Sequence, residues 1–584
     1  MAFLGVDTSL TGRCWVGPDA STDRLTEAMM QQTGLPRALS GLLVQRGVTA
    51  EDSARFLAPQ LRDLLPDPRS LRDTQAAASR VLQAVKAEEN IAIFADYDVD
   101  GGSSAALLIW WLRQMGRPAT LYVPDRLREG YGPNPTAMSQ LAAEHTLILC
   151  VDCGTVSHEA FAEIEGADII VLDHHLGGET LPAALAVVNP NRQDETGDLA
   201  HLCAAAVVFL LLVEMGRQLR EAGTTGPDLM AMLDLVALAT VADVAPLIGV
   251  NRALVRQGLK VMARRERPGL VALADIAKMH SAPNTSHLGF AMAPRINAGG
   301  RIGKSDLGAR LLACIDPQEA QSIAEHLDTL NTQRRDIEQQ VRDAAMLQVE
   351  TRGIDGPLVW AAGQGWHPGV VGIVAARIKE VTNRPTVIIG IENGEGKGSG
   401  RSVTGVDLGV AVQRLATDGT LTKGGGHKMA AGLSLPEDQI ETAMARLSEL
   451  LAKQGGSTGG PKDLRLDGML MPAAATVELI EDLETVGPFG AAAPAPRFGF
   501  ANMRISYCKR VGSAHLKLRF GDPTGAQLEG IAFGAFDSTM GAALEAHGGA
   551  LFHLAGRLDI NEWRGRKTAQ LRVEDAAHAT AINL

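Results

Sequence analysis

Between residues 91 and 251, short apolar runs alternate with stretches of helical character, and this alternation constrains the fold more than any other feature of the chain. The runs that are typical of buried strands are Ile91–Ala95, Thr120–Val123, Leu147–Val151 and Asp168–Leu172. Between them, Ser103–Met115 and Ser157–Glu165 have the pattern of connecting helices. Alternating strands and helices predict a mostly parallel sheet that is covered by helices. Ligands of such sheets collect where the strands end.

Acidic and imidazole side chains follow apolar runs of this region at four points. These residues are Asp96, Asp98 and Asp100 after the first run, Asp152 after Leu147–Val151, Asp173, His174 and His175 after Ile169–Leu172, and Asp243 after Leu235–Ala242. We place all four points at strand ends. Because neighbouring parallel strands end at one edge of a sheet, we expect these side chains to converge on one site.

Such a convergence predicts a metal centre. Carboxylates that are packed together repel one another, and divalent cations remove that cost. Oxygen-rich sets with one or two imidazoles suit Mn²⁺ or Mg²⁺ better than zinc, and two such ions suit phosphoryl displacement. A single Asp after a strand is more often a helix cap or a turn residue, but acidic or imidazole residues at four such points favour a metal site over that interpretation. An EF-hand is excluded, because Leu107 stands where its Glu is needed.

Three further regions complete a predicted α/β architecture. Asp316 suits the N-cap and Pro317 the first position of one long helix. A second, smaller α/β unit follows, and after a Gly/Ser/Pro linker the tail has the short alternating runs of a small β-barrel such as an OB-fold. The predicted segments are 1–80 (N-terminal and helical), 81–315 (catalytic, with the parallel sheet), 316–352 (connecting helix), 353–454 (second α/β unit) and 462–584 (β-barrel).

The motifs DYDVDG, VDCG and Asp173-His174-His175, followed by Asp243, resemble those of the DHH phosphoesterase superfamily in their order. Within it, the chain is similar to the RecJ family of bacterial single-strand-specific exonucleases over nearly its whole length. The resemblance implies a DHH domain, a DHH-associated domain and an OB-fold. It implies metal ligation by Asp98, Asp100, Asp152, His174 and Asp243. It further implies that Asp96 is a ligand or supports one, that His175 contacts the scissile phosphate or acts as acid or base, and that Asp173 orients the histidines.

Two segments of the first α/β unit are candidates for substrate binding. Arg126 and Tyr131 follow the strand that ends at Val123, and the resemblance implies that they face DNA; a solvated loop is the alternative. In PRINAGGRIG, glycines allow close backbone approach and arginines can fork onto a phosphate. We expect phosphate contacts from Arg295, Asn297 and Arg301, with a basic turn as the alternative.

Two glycine-rich motifs of the second α/β unit are further candidates. They contain Ser399, Arg401 and Ser402 in the first motif, and Gly425, Gly426 and His427 in the second. Neither fits a Walker loop, because no Gly-Lys-Ser or Gly-Lys-Thr occurs, so ATP hydrolysis is not supported. The second motif resembles the glycine-histidine motif of the DHH-associated domain, which closes over the substrate.

The net charge of -12 argues against binding to a polyanion unless a local basic surface exists. The tail offers one, because basic residues there have no acidic residue between them: Arg504, Lys509, Arg510, Lys517 and Arg519. With the aromatic side chains Tyr507 and Trp563, these strands suit a surface that binds single strands. Basic solvated strands are the alternative.

The cysteines indicate a reducing compartment, because the six are scattered without a dense framework. Cys150 and Cys153 form C-x-x-C, but packing inside a strand is the favoured interpretation. The N-terminus has no basic stretch followed by an apolar run, and the longest apolar run is far shorter than the ~20 residues of a membrane span. We therefore expect a cytoplasmic protein that has no contact with membrane.

These features together predict an exonuclease that is specific for single-stranded DNA, releases mononucleotides with two Mn²⁺ or Mg²⁺ ions, and acts in DNA repair and recombination. The 5′-to-3′ polarity rests on the resemblance alone, and so does the expectation that single-strand-binding protein and repair helicases are partners. We expect a monomer. The alternatives are a DHH phosphoesterase for nano-RNA or cyclic dinucleotides, and a non-catalytic scaffold that binds single strands.

Overall fold

A computed structural model describes residues 2–126, 129–455, 463–512, 514–563 and 565–579. Its helices are α1 (Ala20–Thr33), α2 (Arg37–Gln45), α3 (Ala50–Leu57), α4 (Leu61–Leu64), α5 (Thr74–Lys86), α6 (Val99–Gln114), α7 (Pro135–Glu144), α8 (His158–Phe161), α9 (Ala204–Glu221), α10 (Leu233–Ala242), α11 (Gly249–Met262), α12 (Pro268–Ile276), α13 (Ala293–Ile302), α14 (Leu307–Ala313), α15 (Pro317–Arg352), α16 (Pro368–Thr382), α17 (Leu408–Thr417), α18 (Ile440–Ala452), α19 (Val477–Glu484) and α20 (Thr539–Glu545).

The strands are β1 (Cys14–Val16), β2 (Ile91–Ala95), β3 (Thr120–Tyr122), β4 (Leu147–Val151), β5 (Asp168–Leu172), β6 (Ala186–Val188), β7 (Val359–Gln364), β8 (Thr386–Glu392), β9 (Glu395–Arg401), β10 (Lys423–His427), β11 (Ala430–Pro436), β12 (Asp463–Arg465), β13 (Gly468–Met469), β14 (Phe498–Val511), β15 (His515–Gly521), β16 (Gln527–Ala532), β17 (Leu551–Trp563) and β18 (Arg566–His578). A π-helical turn, His287–Met292, precedes α13.

The chain divides into two compact units. One unit contains Pro66–Ala245 and Leu254–Gly460, and the other contains Met1–Leu65, Pro246–Ala253 and Pro461–Leu584. The first unit therefore holds both α/β regions and all the predicted catalytic residues. Among the described residues, no helix has both the length and the apolar character that a membrane span requires.

The sheet of the first α/β region confirms the predicted parallel architecture. Its strand order is β3-β2-β4-β5-β6, and every pair is parallel. Ala95 lies opposite Val151, which in turn lies opposite Leu172. Because these residues end their strands in register, Asp96, Asp152 and Asp173 follow side by side at one edge. Cys150 and Cys153 are buried as free thiols, as the packing interpretation predicted.

Two predictions about local structure in this region are wrong. Asp243 does not follow a strand, because the apolar run before it forms the buried helix α10, with Asp243 at its C-terminal end. A continuous apolar run cannot distinguish a buried helix from a buried strand. The helix predicted over Ser157–Glu165 is only the single turn α8, and the chain turns at Gly166 with a φ of 82° before it enters β5.

Helix α15 and a five-stranded sheet build the rest of the first unit. The Asp316 side chain caps α15 by accepting from the backbone N–H groups of Gln318 and Glu319, as predicted. The sheet has the order β10-β11-β9-β8-β7, in which only β7 and β8 are parallel. The two glycine-rich motifs form strands β9 and β10. Glycine is depleted in strands, so composition does not reveal these two. Most of the predicted linker at Gly455–Pro461 lies outside the described residues.

The second unit contains the predicted barrel. Strands β14, β15, β16, β18 and β17 pair in that order, and β17 pairs again with β14, which closes the sheet. The core is rich in aromatic side chains, with Phe500, Phe520 and Phe552 fully buried. Leu39 and Leu42 of α2 belong to the same core, so the N-terminal helices pack on the barrel. The side chain of Trp563 lies outside the described part of the chain.

Candidate metal centre and substrate site

The turn between β2 and α6 places the first group of carboxylates. The Asp98 carboxylate accepts from the backbone N–H groups of Asp100 (2.8 Å) and Gly101 (3.1 Å), which starts α6 directly after the strand. A Cβ atom at Gly101 would lie 2.4 Å from the carbonyl oxygen of Asp96, so only glycine fits this turn. The DYDVDG motif thus folds back tightly enough to aim Asp96, Asp98 and Asp100 at one edge of the sheet.

Asp100 is held from a second direction. Its two carboxylate oxygens accept from the backbone N–H groups of Ala204 (2.7 Å) and Ala205 (2.8 Å) at the N-terminus of α9. A helix N-terminus favours a negative charge, so this contact keeps a buried carboxylate in place. One of these oxygens also lies 3.7 Å from His174 Nε2, which connects α9 to the centre.

Asp152 lies at the middle of the cluster. It is buried, and its backbone has a φ of 61°, a left-handed conformation that aspartate tolerates better than most residues. The Oδ1 atom of Asp152 lies 3.3 Å from His174 Nε2 and 3.9 Å from His175 Nδ1. However, this Oδ1 has no hydrogen-bond partner among the described residues, and neither does Oδ1 of Asp96. Buried polar atoms are nearly always paired, so two buried carboxylate oxygens without a donor beside further carboxylates and imidazoles point to a cation site.

Asp173 has a different role from the other aspartates. Its carboxylate accepts from Thr155 Oγ1 (2.7 Å), from the His174 N–H (2.7 Å) and from His175 Nδ1 (2.8 Å). Burial acts to raise the pKa of Asp173, but these donors and the charge of His175 hold it well below its ordinary value. The same contact acts on His175, because burial lowers its pKa but the Asp173 carboxylate raises it further, to about 9. Asp173 is thus placed to hold the His175 ring, and its role in orienting the histidines stays a prediction.

Burial raises the pKa of several other carboxyl groups of the cluster, as Asp96, Asp152 and Asp243 illustrate. For Asp96 and Asp152 the pKa lies well above the ordinary value, first because of burial and then because of neighbouring carboxylates. Burial, followed by repulsion from Asp100, raises the pKa of Asp243 to about 8. Asp243 Oδ2 lies 3.8 Å from His174 Nδ1, so His174 lies between Asp243 and Asp152. Divalent cations would remove this repulsion.

The ligand atoms form three overlapping groups, each with all atoms within 4.8 Å of one another. The groups are Asp96 with Asp98 and Asp152, Asp100 with His174 and Asp243, and Asp152 with His174 and His175. Asp152 and His174 each belong to two groups. The oxygen-rich donor set and the two unpartnered oxygens fit Mn²⁺ or Mg²⁺. The structure thus brings all the predicted ligands together, whereas the role of each residue remains a prediction.

Two asparagines that the sequence reasoning missed hold the two histidines by their backbone carbonyl groups. Asn189 Nδ2 donates to the carbonyl oxygen of His175 (2.8 Å) and to Thr155 Oγ1 (2.8 Å), and Asn191 Nδ2 donates to the carbonyl oxygen of His174 (2.6 Å). The only signal in the sequence is the run Asn189-Pro190-Asn191, which is typical of any turn.

Replacing Asn191 by alanine is expected to weaken Mn²⁺ binding about 10- to 100-fold, because partners that orient ligands contribute that much. Titration calorimetry with Mn²⁺ measures the change. The control is Asn90→Ala, since Asn90 Nδ2 also donates to a backbone carbonyl, that of Glu144, away from the cluster. Equal Mn²⁺ affinity in the two variants would mean that Asn191 does not support the centre.

Three arginines form a basic cluster beside the metal centre. The Arg126 guanidinium lies 5.1 Å from the centre of the Tyr97 ring, within the DYDVDG motif. Arg301 Nη1 donates to the carbonyl oxygen of Gly369 (3.1 Å), and Arg401 Nη1 donates to Ser399 Oγ (3.0 Å). Burial, and then the charge of Arg126, lower the pKa of Arg301 to about 10 and also lower the pKa of Arg401. These guanidinium groups thus repel one another across the two α/β regions.

No ion pair of the described residues involves a guanidinium group of this arginine cluster. A Cβ atom at Gly300 would lie 2.8 Å from the Tyr97 ring, and one at Gly369 would lie 2.3 Å from the carbonyl oxygen of Arg301. Glycine at positions 300 and 369 therefore allows the close packing of the segments that carry Tyr97 and Arg301. Such a pocket suits an anion.

Tyr131 joins the metal centre. Its hydroxyl donates to the carbonyl oxygen of Asp152 (3.2 Å) and lies 3.2 Å from His175 Nε2, while its side chain is largely exposed. The ring of Tyr131 meets that of His175 edge to face, with 5.8 Å between centroids. Tyr131 therefore contacts two residues of the candidate metal centre, Asp152 and His175, which a loop surrounded by solvent would not do.

Three of the predicted substrate contacts are already used inside the protein. Arg295 forms an ion pair with Asp328 at 2.8 Å and donates to the carbonyl oxygen of Ala291. Asn297 Oδ1 accepts from the backbone N–H of Val99 (3.1 Å), so Asn297 positions the DYDVDG turn. The Ser402 hydroxyl is buried and donates to the carbonyl oxygen of Val406 (2.8 Å). All three side chains are thus engaged within the protein, and their contact with substrate stays a prediction.

The second glycine motif lies on the edge strand β10. Arg401 of β9 pairs with Ala430 of β11, which pairs with His427 of β10, so Arg401 and His427 lie in one row. A Cβ atom at Gly426 would lie 2.3 Å from the carbonyl oxygen of Ala430, so this glycine is needed for packing. Gly425 has open space beside it. The register of β9, β11 and β10 therefore places His427 and Gly425 at the same end of the strands as Arg401.

Comparisons with known proteins agree with this geometry. Family models match residues 90–240 (DHH family, N-terminal domain), 355–453 (DHHA1 domain) and 466–575 (RecJ OB domain). The single-stranded-DNA-specific exonuclease RecJ of Dickeya dadantii is 39% identical over 562 residues, which are 92% of this chain and 96% of that one. The fold and the carboxylate-histidine centre define a phosphoesterase of the DHH class.

Solved structures give the same result. The crystal structure of RecJ from Thermus thermophilus in complex with Mn²⁺ matches with a TM-score of 0.79 and 27% identity, over 97% of this chain and 80% of that chain. The Mg²⁺ complex from the same organism matches with a TM-score of 0.74 and 26% identity, over 97% and 79%. The chain belongs to the RecJ family.

Proposed function

We propose that this protein is an exonuclease that degrades single-stranded DNA and requires two Mn²⁺ or Mg²⁺ ions. The observation that carries the proposal is the pair of buried carboxylate oxygens, on Asp96 and Asp152, that have no hydrogen-bond donor in the described part of the chain although both residues belong to groups of clustered ligand atoms. The names of the relatives, single-stranded-DNA-specific exonuclease RecJ, support the substrate class.

Asp98, Asp100, Asp152, His174 and Asp243 would hold the ions, with Asp96 as a further ligand or support. When bound, such ions stabilise the charge that develops on the attacking and leaving oxygens of a phosphodiester. Asp152 and His174 belong to more than one group of ligand atoms, and they would thus fix the spacing of the site.

His175 would contact the scissile phosphate or move a proton. Asp173 holds Nδ1 of His175 at 2.8 Å, and Tyr131 lies near the other ring nitrogen. This pair of contacts fixes the ring, while nearly half of the His175 side chain remains exposed to a substrate. A charged imidazole, which the raised pKa favours, binds a phosphate oxygen and can donate a proton to a leaving group.

The arginine cluster supports the 5′ polarity. Arg126, Arg301 and Arg401 offer several unpaired donors to one anion, and a terminal phosphate has more free oxygens than an internal one. A strand whose 5′-phosphate lies in this pocket would present its first phosphodiester to the neighbouring metal centre. Mononucleotides would then leave one at a time from the 5′ end. Ser399 and His427, which lie beside or across from Arg401, would complete the pocket.

Replacing Arg401 by glutamine is expected to reduce the preference for a 5′-phosphate over a 5′-hydroxyl about 10- to 100-fold. A charge-assisted hydrogen bond contributes about 1.5–3 kcal/mol. The kcat/KM values for two oligonucleotides that differ only in this phosphate measure the effect. Arg414→Gln, at an exposed position of α17, is the matched control. If Arg401→Gln keeps the preference of the unmodified protein, the pocket does not bind the terminal phosphate.

The proposal is tested with the purified protein, Mn²⁺ and single strands labelled at the 5′ or the 3′ end. The expected product is a labelled mononucleotide from the 5′-labelled strand at the earliest times, with no cleavage of blunt duplex and none in EDTA. Early release of the 3′ label would contradict the polarity. Absence of any released nucleotide would contradict the function.

The segments would divide this work. Residues 81–315 would carry the chemistry, 316–352 would form a rigid spacer, 353–454 would close over the substrate, and 462–584 would bind single-stranded DNA, with 1–80 as a structural segment. A role in DNA repair and recombination in the cytoplasm, as a monomer, fits this activity. Single-strand-binding protein and repair helicases are the proposed partners, because they provide and cover single strands.

A further inference from the structure

We propose that Phe290 stacks on a base of the substrate strand close to the scissile phosphate. The proposal rests on the proposed function and adds a contact with a base to the contacts with phosphate. Phe290 is not one of the residues that the sequence patterns selected.

The exposure of Phe290 is the first observation. Its side chain is 82% exposed, the highest value of any large apolar side chain in the described residues. It lies on the π-helical turn His287–Met292, in which Leu288 and Met292 are both buried. The two buried residues anchor the turn and hold the Phe290 ring out in solvent. π-Helical turns are rare and occur frequently at functional sites.

The place of the turn is the second observation. It packs against the end of α10, where a Cβ atom at Gly289 would lie 3.6 Å from Val241 Cγ1. Asp243, whose carboxylate faces His174, follows Val241 by two positions. Val244 comes next, with 69% of its side chain exposed and a φ of 59°. The turn that carries Phe290 therefore packs beside the end of α10 that carries Asp243.

The chain that follows the turn connects it to the other parts of the site. Helix α13 begins directly after the turn and carries Asn297, which holds the Val99 N–H, and Arg301 of the arginine cluster. One continuous segment thus holds an aromatic ring, a support of the metal-binding turn and a phosphate-binding guanidinium. A strand that contacts Arg301 and the metal centre would pass this segment.

The surroundings of Phe290 favour a base over another protein as its partner. Ser281, Asn284 and Ser286, which precede Phe290 in the chain, are polar and exposed, so Phe290 does not continue into a broad apolar patch along this segment. A single exposed ring suits one flat base, and stacking on an aromatic ring tolerates every base. Such a contact is possible only with an unpaired strand, because a duplex keeps its bases stacked inside.

The test combines a Phe290→Ala variant with a set of 5′-phosphorylated single strands, each carrying one abasic position near the 5′ end. In the unmodified protein, we expect one abasic position to lower kcat/KM about 5- to 150-fold, the range of one base-aromatic stack. Phe290→Ala should lower kcat/KM on intact strands by a similar factor and should lose its sensitivity to that same position. Phe290→Trp should keep both properties. Val381→Ala, which removes an exposed apolar side chain on α16, is the control and should resemble the unmodified protein.

Two results would overturn the proposal. One is a Phe290→Ala variant that remains as sensitive to each abasic position as the unmodified protein. The other is a change in oligomeric state in Phe290→Ala with normal kinetics, which would assign the ring to contact with another protein. Failure of the proposed function is distinguishable, because the unmodified protein would then degrade no single strand at all.

Discussion

Replacement of Asp152 by asparagine is expected to abolish turnover and, at the same time, to stabilise the metal-free protein. Turnover should fall by more than about 100-fold, the upper end of what the loss of a mere supporting partner costs. The metal-free fold should gain stability because Asp152 is buried, lacks a hydrogen-bond partner for Oδ1 and lies among other carboxylates. Asparagine also tolerates the left-handed backbone that position 152 adopts, whereas alanine would add strain.

The measurement compares initial rates of mononucleotide release with urea unfolding in EDTA for the two proteins. Asp168→Asn is a matched control: Asp168 starts β5 at the opposite edge of the same sheet and pairs with Arg80 at 2.6 Å. We expect the control to keep the nuclease rate and to lose a little stability. If Asp152→Asn instead retains activity, or destabilises the metal-free protein, Asp152 is a structural residue.

Stability of the metal-free protein is expected to fall by about 2 kcal/mol or more as the pH rises from 6 to 8, since one pKa unit corresponds to about 1.4 kcal/mol. The pKa of Asp243 rises from 3.8 to about 8 in the fold, so between these values the folded state holds a proton that the unfolded chain has lost. The raised pKa of His175 acts in the same direction, because its charge stabilises the fold below pH 6.5 and is lost near pH 9. Asp173, with a lowered pKa, stays ionised throughout and contributes no slope in this window.

Metal should reverse this dependence on pH. Mn²⁺ or Mg²⁺ competes with protons for the carboxylates, so the stabilisation by a fixed concentration of metal should grow between pH 6 and pH 8. Urea unfolding at both pH values, with EDTA and with Mn²⁺, tests both statements. If the metal-free protein is equally stable at pH 6 and pH 8, the carboxylates are not held against one another as the structure indicates.

The parts of the fold that sequence patterns predict best are those with strong local signals. Strands β2, β4 and β5 begin and end where the apolar runs do, because each run is bounded by polar residues and lies in the centre of a parallel sheet. Because these strands end in register, the carboxylates and imidazoles that directly follow them lie close together. For this reason the sequence located most of the metal centre.

The remaining errors come from tertiary structure. The helix before Asp243 is apolar on all sides because it is buried on all sides, so its pattern carries no period. Asp328, which pairs with Arg295, is 33 residues away in the chain, and Val99, which Asn297 holds, is 198 residues away. No local pattern reveals such partners, so the sequence does not show that Arg295 and Asn297 are engaged within the protein, and their contact with phosphate stays a prediction.

The arginine cluster is a feature that local sequence patterns do not predict, because its members are far apart in the chain. Arg126 and Arg401 are 275 positions apart in the sequence. Because the two α/β regions of one unit pack together, the charge of Arg126 contributes to lowering the pKa of Arg401. Likewise, Asn191 becomes important only because its amide reaches the carbonyl oxygen of His174. Local motifs thus find side chains that bind metal, whereas the residues that position them require the folded chain.

Metal positions in a crystal soaked with Mn²⁺ are the most direct test of the centre. We expect two anomalous peaks, surrounded by side-chain oxygens of Asp98, Asp100, Asp152 and Asp243 and by a ring nitrogen of His174, with Asp96 close by. Asp173 should remain bonded to His175 and should not contact either ion. A crystal in abundant Mn²⁺ that shows no ion among these side chains, or ions held elsewhere in the unit, would contradict the proposed chemistry.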